Sequence, residues 1–387
     1  MRLSKKVSII RESLLNRWDT DVKKRIASGE DILQFNLGQP DFACPDFVRQ
    51  AIREAASSEK NNFYANTAGT TGLRRAIASL ERREFGLEYG EDEIIVTNGA
   101  KESIFLALAA AIDPGDEVVI IAPAWPAYVE DIRFLEGVPV VIGSDQDFRP
   151  DIGAIKSAIS GRTKAIIVNS PNNPTGVVYT EQELEAIAQI AKVNDLIVIS
   201  DEIYGATVYD EKHLSIAGLP DMRSRTVVID SFSKTLSIAG YRLGYASSSR
   251  EIIDAMIKVK SNINGNTSSL VMGAVELIID RWGDELDSFI DGSRQEYLKR
   301  RDLVCAALSD MGVERVLPSG AFYVFAKIPE KLDRKSGDFA KYLVEKAGVS
   351  VAPGIFFGSD YDGFFRISFS ASMEDLQKGM ERMKKVL

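Results

Sequence analysis

Ile94-Ile95-Val96-Thr97-Asn98-Gly99-Ala100-Lys101, the Ala/Leu-rich run on to Ile112, the turn Asp113-Pro114-Gly115-Asp116 and the stretch Glu117 to Ile121 decide the fold class of this chain. A short β-branched run, a small-residue turn, a helix, a Pro-Gly turn and a second β-branched run make one strand–helix–strand unit. The theme recurs downstream. Val138 to Ile142, Ala165 to Val168, Leu196 to Ser200 and Thr226 to Ile229 are further short apolar runs, and Glu181 to Val193 is the clearest amphipathic helix between them. Apolar strands separated by helices predict an α/β fold with a mainly parallel sheet covered on both faces.

Beyond Met272 the pattern changes. A helical region, Ser293 to Leu308, precedes the glycine-bounded strand Gly320 to Phe325. A helix from Ser336 to Ala347 leads to Val349-Ser350-Val351 and then to a strand at Phe364 to Phe369. This predicts a second, smaller α+β domain, which a chain of 387 residues has room for. The expected division is an N-terminal segment, 1–44, packing with the small domain; a large domain, 45–285; and a small domain, 286–387. One N-terminal helix is expected over Lys5 to Ser28.

Composition narrows the chemistry. With 47 Lys and Arg against 56 Asp and Glu, the net charge of −9 argues against nucleic acid as a partner. It leaves room for a small anionic ligand at a locally positive site. Two cysteines, Cys44 and Cys305, make neither a disulfide framework nor a metal cluster. A single histidine, His213, disfavours histidine-ligated metals and a serine–histidine triad. The apolar runs Val7 to Ile10 and Ile104 to Ile112 are too short for a signal core or a membrane span. A cytoplasmic protein is the expectation.

Ligands of open parallel sheets bind beyond the carboxyl ends of the strands, and four polar clusters fall there. In Asp230-Ser231-Phe232-Ser233-Lys234-Thr235, followed by Gly240-Tyr241-Arg242-Leu243-Gly244, a lysine after a strand suits a carbonyl adduct. Ser231, Ser233 and Arg242 beside it suit a phosphate; alone, the same stretch also reads as a serine-rich surface loop. In Ser200-Asp201-Glu202-Ile203-Tyr204, Asp201 suits a protonated ring nitrogen or, equally, a helix cap. In Asn169-Ser170-Pro171-Asn172-Asn173-Pro174-Thr175-Gly176, two prolines and a glycine fix a turn able to hold an asparagine amide on a ligand; a plain Asn-Pro turn reads the same way. Thr97-Asn98-Gly99-Ala100-Lys101 is a strand-to-helix turn open to an anion, or a simple connection.

Together these residues resemble the aspartate aminotransferase family of class I/II, fold-type I, pyridoxal 5'-phosphate enzymes. The resemblance rests on Asn172-Asn173-Pro174-Thr175-Gly176, Asp201-x-x-Tyr204 and Ser231-x-Ser233-Lys234 with Arg242 eight residues on, and it runs from Gly38 to Arg366. It implies a large domain with a seven-stranded sheet. Lys234 is implied as the Schiff-base lysine, Asp201 as the partner of the pyridine nitrogen, and Tyr204 with Asn173 as partners of the ring's phenolic oxygen. Ala100 and Lys101, through backbone amides, join Ser231, Ser233 and Arg242 in the phosphate cup. Trp125 is implied as the aromatic stacked on the cofactor, and Gly38 as a backbone contact to substrate. Arg366, directly after Phe364-Phe365 on a strand, is implied as the clamp on the substrate α-carboxylate. Tyr64, in Phe63-Tyr64-Ala65-Asn66, is implied to reach the phosphate of a neighbouring subunit, hence a homodimer with shared sites. The implied reaction moves an amino group from an L-amino acid to a 2-oxo acid in a ping-pong cycle. No cationic side chain for a distal substrate carboxylate is identified, so the donor stays open. A carbon–sulfur β-lyase on the same fold and a non-enzymatic cofactor sensor are the competing readings.

Overall fold

A computed structural model describes residues 4–210 and 212–387. Strand β1 (Leu33–Gln34) stands apart from the main sheet. That sheet contains β2 (Ile94–Thr97), β3 (Glu117–Ala122), β4 (Val138–Gly143), β5 (Thr163–Asn169), β6 (Ile197–Asp201), β7 (Thr226–Ser231) and β8 (Gly244–Ser247), in the order β2-β8-β7-β6-β5-β3-β4. All pairings are parallel except those of β8, which is antiparallel to both β2 and β7. The seven strands and the mostly parallel sheet are those of the fold-type I expectation.

The strands look uniformly apolar, yet their pleat sorts them. Ile95, Ile120, Ile167, Ile199 and Ile229 pack with Ile104 and Leu108 of the helix Ala100–Ala111 and with Ile253 and Met256 of the helix Arg250–Ile263. The alternate residues Val119, Ile121, Ile166, Val168 and Val198 face Leu184 and Ile187 of the helix Glu181–Val193. Ile94, Val96 and Val228 face Leu73 and Ile77 of the helix Thr71–Phe85. Successive strand residues point to opposite faces, so both faces are apolar because both carry helices. Each such side chain contributes about 1.5–3 kcal/mol on burial.

The later part of the chain contributes β9 (Tyr323–Lys327), β10 (Val349–Ser350), β11 (Ala352–Pro353) and β12 (Phe364–Ser368). Strands β11, β12 and β9 form an antiparallel sheet, while β10 pairs in parallel with β1. Phe322, Phe339, Phe365 and Ile367 centre the core between these strands and the helices Gly283–Asp310, Ser336–Ala347 and Met373–Lys384. The helix Gly283–Asp310 begins ten residues earlier than the sequence reading and runs unbroken across the expected boundary at 285.

The single N-terminal helix is corrected by the structure. It is two helices, Lys5–Ile9 and Leu14–Ala27, separated by extended backbone at Ile10. Ser13 starts the second by accepting the Asn16 amide at 3.3 Å, and the Arg11 N–H donates to Glu130 Oε2 at 2.7 Å. The second helix packs on the later part of the chain, where Trp18 Nε1 donates to the Val351 carbonyl at 2.9 Å and Val22 meets Val344. The first helix lies instead against Ala127–Phe134. Val349-Ser350-Val351 also divides: Val349–Ser350 pairs with β1, and the chain after Val351 enters the other small sheet at Ala352–Pro353. Among the described residues, no helix is long and apolar enough to cross a membrane.

One core residue ties stability to pH. Glu81, on Thr71–Phe85, is 1% exposed, and the Ser247 hydroxyl donates to its carboxyl group at 2.8 Å. Burial pushes Glu81 up to about 8, with Asp230 and Glu202 adding to the rise. Folded chains therefore hold a proton that unfolded chains release above the ordinary glutamate value of 4.5. The associated stability is full below that value and is lost as pH rises towards about 8. The unfolding free energy from urea titrations is expected to fall between about pH 5 and about pH 8, by a few kcal/mol at most, and Glu81→Gln to flatten that slope. A variant with the wild-type slope would place its origin elsewhere.

Candidate active site

The pleat that sorts the core also aims the strand ends. Asn169 lies two residues beyond Ile167, Asp201 two beyond Ile199 and Ser231 two beyond Ile229, so all three face the side covered by Ala100–Ala111. They border a cavity of about 240 Å³ at the carboxyl ends of the parallel strands. Ala100, Lys101 and Trp125 line it from the β2 and β3 ends. Asn173, Asp201, Tyr204, Ser231, Ser233, Lys234 and Arg242 line it from the centre, and Gly38 and Arg366 come from outside the main sheet. Of the thirteen residues singled out in the sequence, only Tyr64 is absent from it; its side chain is 99% exposed, next to exposed Phe63.

Asp201 is buried beneath this cavity. Tyr128 donates its hydroxyl to Oδ2 at 2.5 Å and the Ile203 N–H approaches Oδ1 at 3.4 Å. Burial pushes its carboxyl up to about 6, against the lowering effect of those two hydrogen bonds. A cation placed against the free edge would restore ionisation. Asn169 fixes the surroundings: its Nδ2 donates to the Asp201 carbonyl and its Oδ1 accepts the Asn173 N–H, each at 2.9 Å.

Lys234 sits in the helical turn Phe232–Thr235 that ends β7. Its Nζ donates to the Gly38 carbonyl at 2.5 Å and lies 5.6 Å from the Phe322 ring centroid. Burial, reinforced by Arg366 and Arg242, lowers its ammonium to about 8. The neutral amine, the nucleophilic form, is thereby accessible near neutral pH. Gly38 lacks room for a side chain, since a Cβ there would stand 1.8 Å from the Tyr323 hydroxyl.

Another side of the cavity is made by three turns. Ser231 Oγ donates to Ser233 Oγ at 2.9 Å, and the Ser233 amide approaches Ser231 Oγ at 3.2 Å. Arg242 adopts a left-handed backbone, φ 57°, and its guanidinium donates to the Ala239 and Asn98 carbonyls at 3.0 Å each. Gly99, at φ 95°, opens Ala100–Ala111; a Cβ there would lie 2.7 Å from Arg242 Nη2. The first N–H groups of a helix have no internal partner, so the turn presents amides, a helix dipole and a guanidinium to one point.

Arg366 is the most constrained cation. It is 3% exposed, sandwiched between the rings of Tyr323 and Phe357 at 4.4 and 4.9 Å. Nη1 donates to Asn173 Oδ1 at 2.8 Å and Nη2 to the Asn36 carbonyl at 2.7 Å, while Nε has no partner. Among the described residues no carboxylate lies within 4.0 Å of it, and burial pulls its pKa down. Tyr204 is fully buried with its hydroxyl 2.8 Å from that of Tyr323; burial raises its pKa well above the ordinary phenol range.

Sequence reasoning missed Tyr128, Asn169, Tyr323, Asn36, Leu15 and Asn16 as members of this wall. Tyr128 was the most accessible of them, being three residues after Trp125 on the first turn of Ala127–Phe134. Lys101 was expected to act through its amide, yet its Nζ reaches over the Trp125 ring, 5.8 Å from the centroid.

Residues 30–383 match the family model for aminotransferase class I and II. A probable aspartate/prephenate aminotransferase from Thermus aquaticus is 39% identical over 93% of this chain and 92% of its own length. An aspartate/prephenate aminotransferase from Thermus thermophilus is 36% identical over 100% of this chain and 98% of its own. Among solved structures, Thermus thermophilus aspartate aminotransferase with maleate matches over 100% of both chains, with a TM-score of 0.95 at 36% identity. An aromatic aminotransferase from Pyrococcus horikoshii matches over 95% of this chain and 98% of its own, with a TM-score of 0.89 at 34% identity. With the fold and the whole chain length in agreement, this protein belongs to the class I and II aminotransferases and is a pyridoxal-phosphate-dependent aminotransferase.

Proposed function

We propose that the cavity takes pyridoxal phosphate and an L-amino acid together, and that a dicarboxylic amino acid such as aspartate is the preferred donor. The observation that carries the substrate side is Arg366, a buried guanidinium with no carboxylate partner among the described residues. A buried charge without a partner is costly, and a planar fork suits a substrate α-carboxylate.

The donor set fits the cofactor. Asp201 would hold the ring nitrogen, Tyr204 and Asn173 the phenolic oxygen, and Trp125 would cover the ring. Ser231, Ser233, Arg242 and the Ala100 and Lys101 amides would hold the phosphate. Bound there, the cofactor supplies a reactive carbonyl and a ring that withdraws electrons from the adjacent carbon. Lys234 would then take the substrate α-proton on Nζ and return it one carbon away, its lowered pKa suiting both transfers. Gly38 would contribute its carbonyl at the substrate edge. A 2-oxo acid leaves, a second one enters, and the amino group is passed on.

Lys101 supplies the cation for a distal carboxylate that sequence reading did not find. Lys101 lines the cavity, its ammonium lies over the Trp125 ring, and it makes no ion pair within 4.0 Å among the described residues. The names of the Thermus relatives, and the dicarboxylate maleate in one of their structures, support an acidic donor. The exposed pair Phe63 and Tyr64 supports a homodimer in which Tyr64 completes the partner's phosphate site. Two free cysteines suit a cytoplasmic setting.

Holoenzyme given one amino acid and no acceptor is expected to release one equivalent of the matching 2-oxo acid, with aspartate fastest. Continuous release of pyruvate and ammonia would instead mark a lyase. Kinetics should separate the two cations: Arg366→Ala raises KM for every amino acid, on the order of tenfold or more, whereas Lys101→Ala does so for aspartate and spares phenylalanine. Equal losses on both donors would remove Lys101 as the distal contact. Mixing Tyr64→Ala with Lys234→Ala chains should restore activity in hybrid dimers, each of which holds one intact site. Verified hybrids without activity would refute shared sites.

A further inference from the structure

Behind the anion-binding turn lies an ion pair that none of the assigned roles uses. Glu102 stands in the first turn of Ala100–Ala111, and Lys260 near the end of Arg250–Ile263, the helix packed beside it. Lys260 is fully buried, at 0% exposure, a rare state for a lysine. Its Nζ donates to Glu102 Oε1 and Oε2 at 3.2 and 3.1 Å and to Asn264 Oδ1 at 3.2 Å. Glu102 also accepts the backbone N–H of Asn98 and the Asn264 side-chain amide. The backbone of Asn98 is thus held on both sides, its N–H by Glu102 and its carbonyl by Arg242 at 3.0 Å.

This arrangement carries an electrostatic conflict. A carboxylate in the first turn stabilises the helix itself and fixes the Asn98–Gly99–Ala100 turn. The same negative charge opposes any anion held at that helix N-terminus. Burying a lysine against it is expensive unless the pair is closely made, and a core of Ile104, Ile253 and Met256 surrounds the helices at this point.

We propose that Lys260 is a positioning residue for the cofactor phosphate: it neutralises Glu102, so that Glu102 can shape the turn without repelling the phosphate bound on its far side. The inference rests on the reading that the phosphate sits at Ala100, Ser231, Ser233 and Arg242. It assigns Lys260 no contact with cofactor or substrate.

Equilibrium dialysis of the full-length protein, first freed of cofactor, against graded pyridoxal phosphate, and in parallel against pyridoxal, tests it. Wild type should bind pyridoxal phosphate more tightly than pyridoxal, and Arg242→Ala should narrow that gap; a gap that does not narrow defeats the phosphate reading instead. Lys260→Met should weaken pyridoxal phosphate on the order of tenfold and leave pyridoxal unchanged. Glu102→Gln combined with Lys260→Met should restore pyridoxal phosphate binding to within about threefold of wild type. Equal weakening of both ligands, no weakening, or no recovery in the double variant would each overturn the proposal, since a merely structural lysine gives no phosphate-selective loss and no charge rescue. Should Lys260→Met fail to fold, Glu102→Gln alone decides. It keeps an acceptor for Asn98 while removing the charge, and should hold pyridoxal phosphate at least as tightly as wild type. A loss of affinity selective for the phosphate-bearing ligand would overturn the idea.

Discussion

The pleat of the central sheet is the constraint on which the site depends. The central runs of β5, β6 and β7 are apolar on both faces, and their two-residue alternation is fixed by packing against helices on either side. A slip of one residue would turn Asp201 and Ser231 to the opposite face of the sheet, away from Ala100–Ala111. The apolar core therefore sets the direction of the polar ends. Asn169, Asp201 and Ser231 face one cavity because Ile167, Ile199 and Ile229 face one helix layer.

Charge in that cavity runs against the charge of the whole. The chain is net negative by nine, yet Lys234, Arg242 and Arg366 converge with Asp201 as the buried carboxylate facing them. Each cation is partly satisfied by neutral oxygens: the Gly38, Ala239, Asn98 and Asn36 carbonyls and the Asn173 amide. Neutral acceptors orient a cation without cancelling it, so the cavity keeps a local surplus of positive charge. Burial lowers the Lys234 pKa, and the same positive surplus from Arg366 and Arg242 lowers it further.

Much of this was legible in the chain because several elements are marked at both ends. Glu181–Val193 was read residue for residue; Thr180 and Glu183 form its capping box. Ser336–Ala347 was read equally closely, and left-handed Gly348 closes it. The polar clusters after the strands also came together in space. Strand β8 was not foreseen, since Gly-Tyr-Ala-Ser offers no β-branched signal. The N-terminal break was hidden because the residues from Lys5 to Ser28 keep helical composition through Ile10–Glu12, and a tertiary bond from Arg11 to Glu130 overrides it. Tyr323 and Tyr128 were passed over for a different reason. A tyrosine within an apolar strand or helix reads as core until the partner of its hydroxyl is seen.

The fit of Gly38 beneath the Tyr323 hydroxyl joins two positions that lie far apart in the chain. Any residue larger than glycine at 38 would occupy the space of that phenol, and the phenol in turn meets Tyr204 and underlies Arg366. A lineage could not trade glycine for alanine there without first shrinking the ring at 323, and shrinking the ring alone would loosen Arg366. Neither change is tolerable singly, so the pair should drift only in concert, as one inherited character.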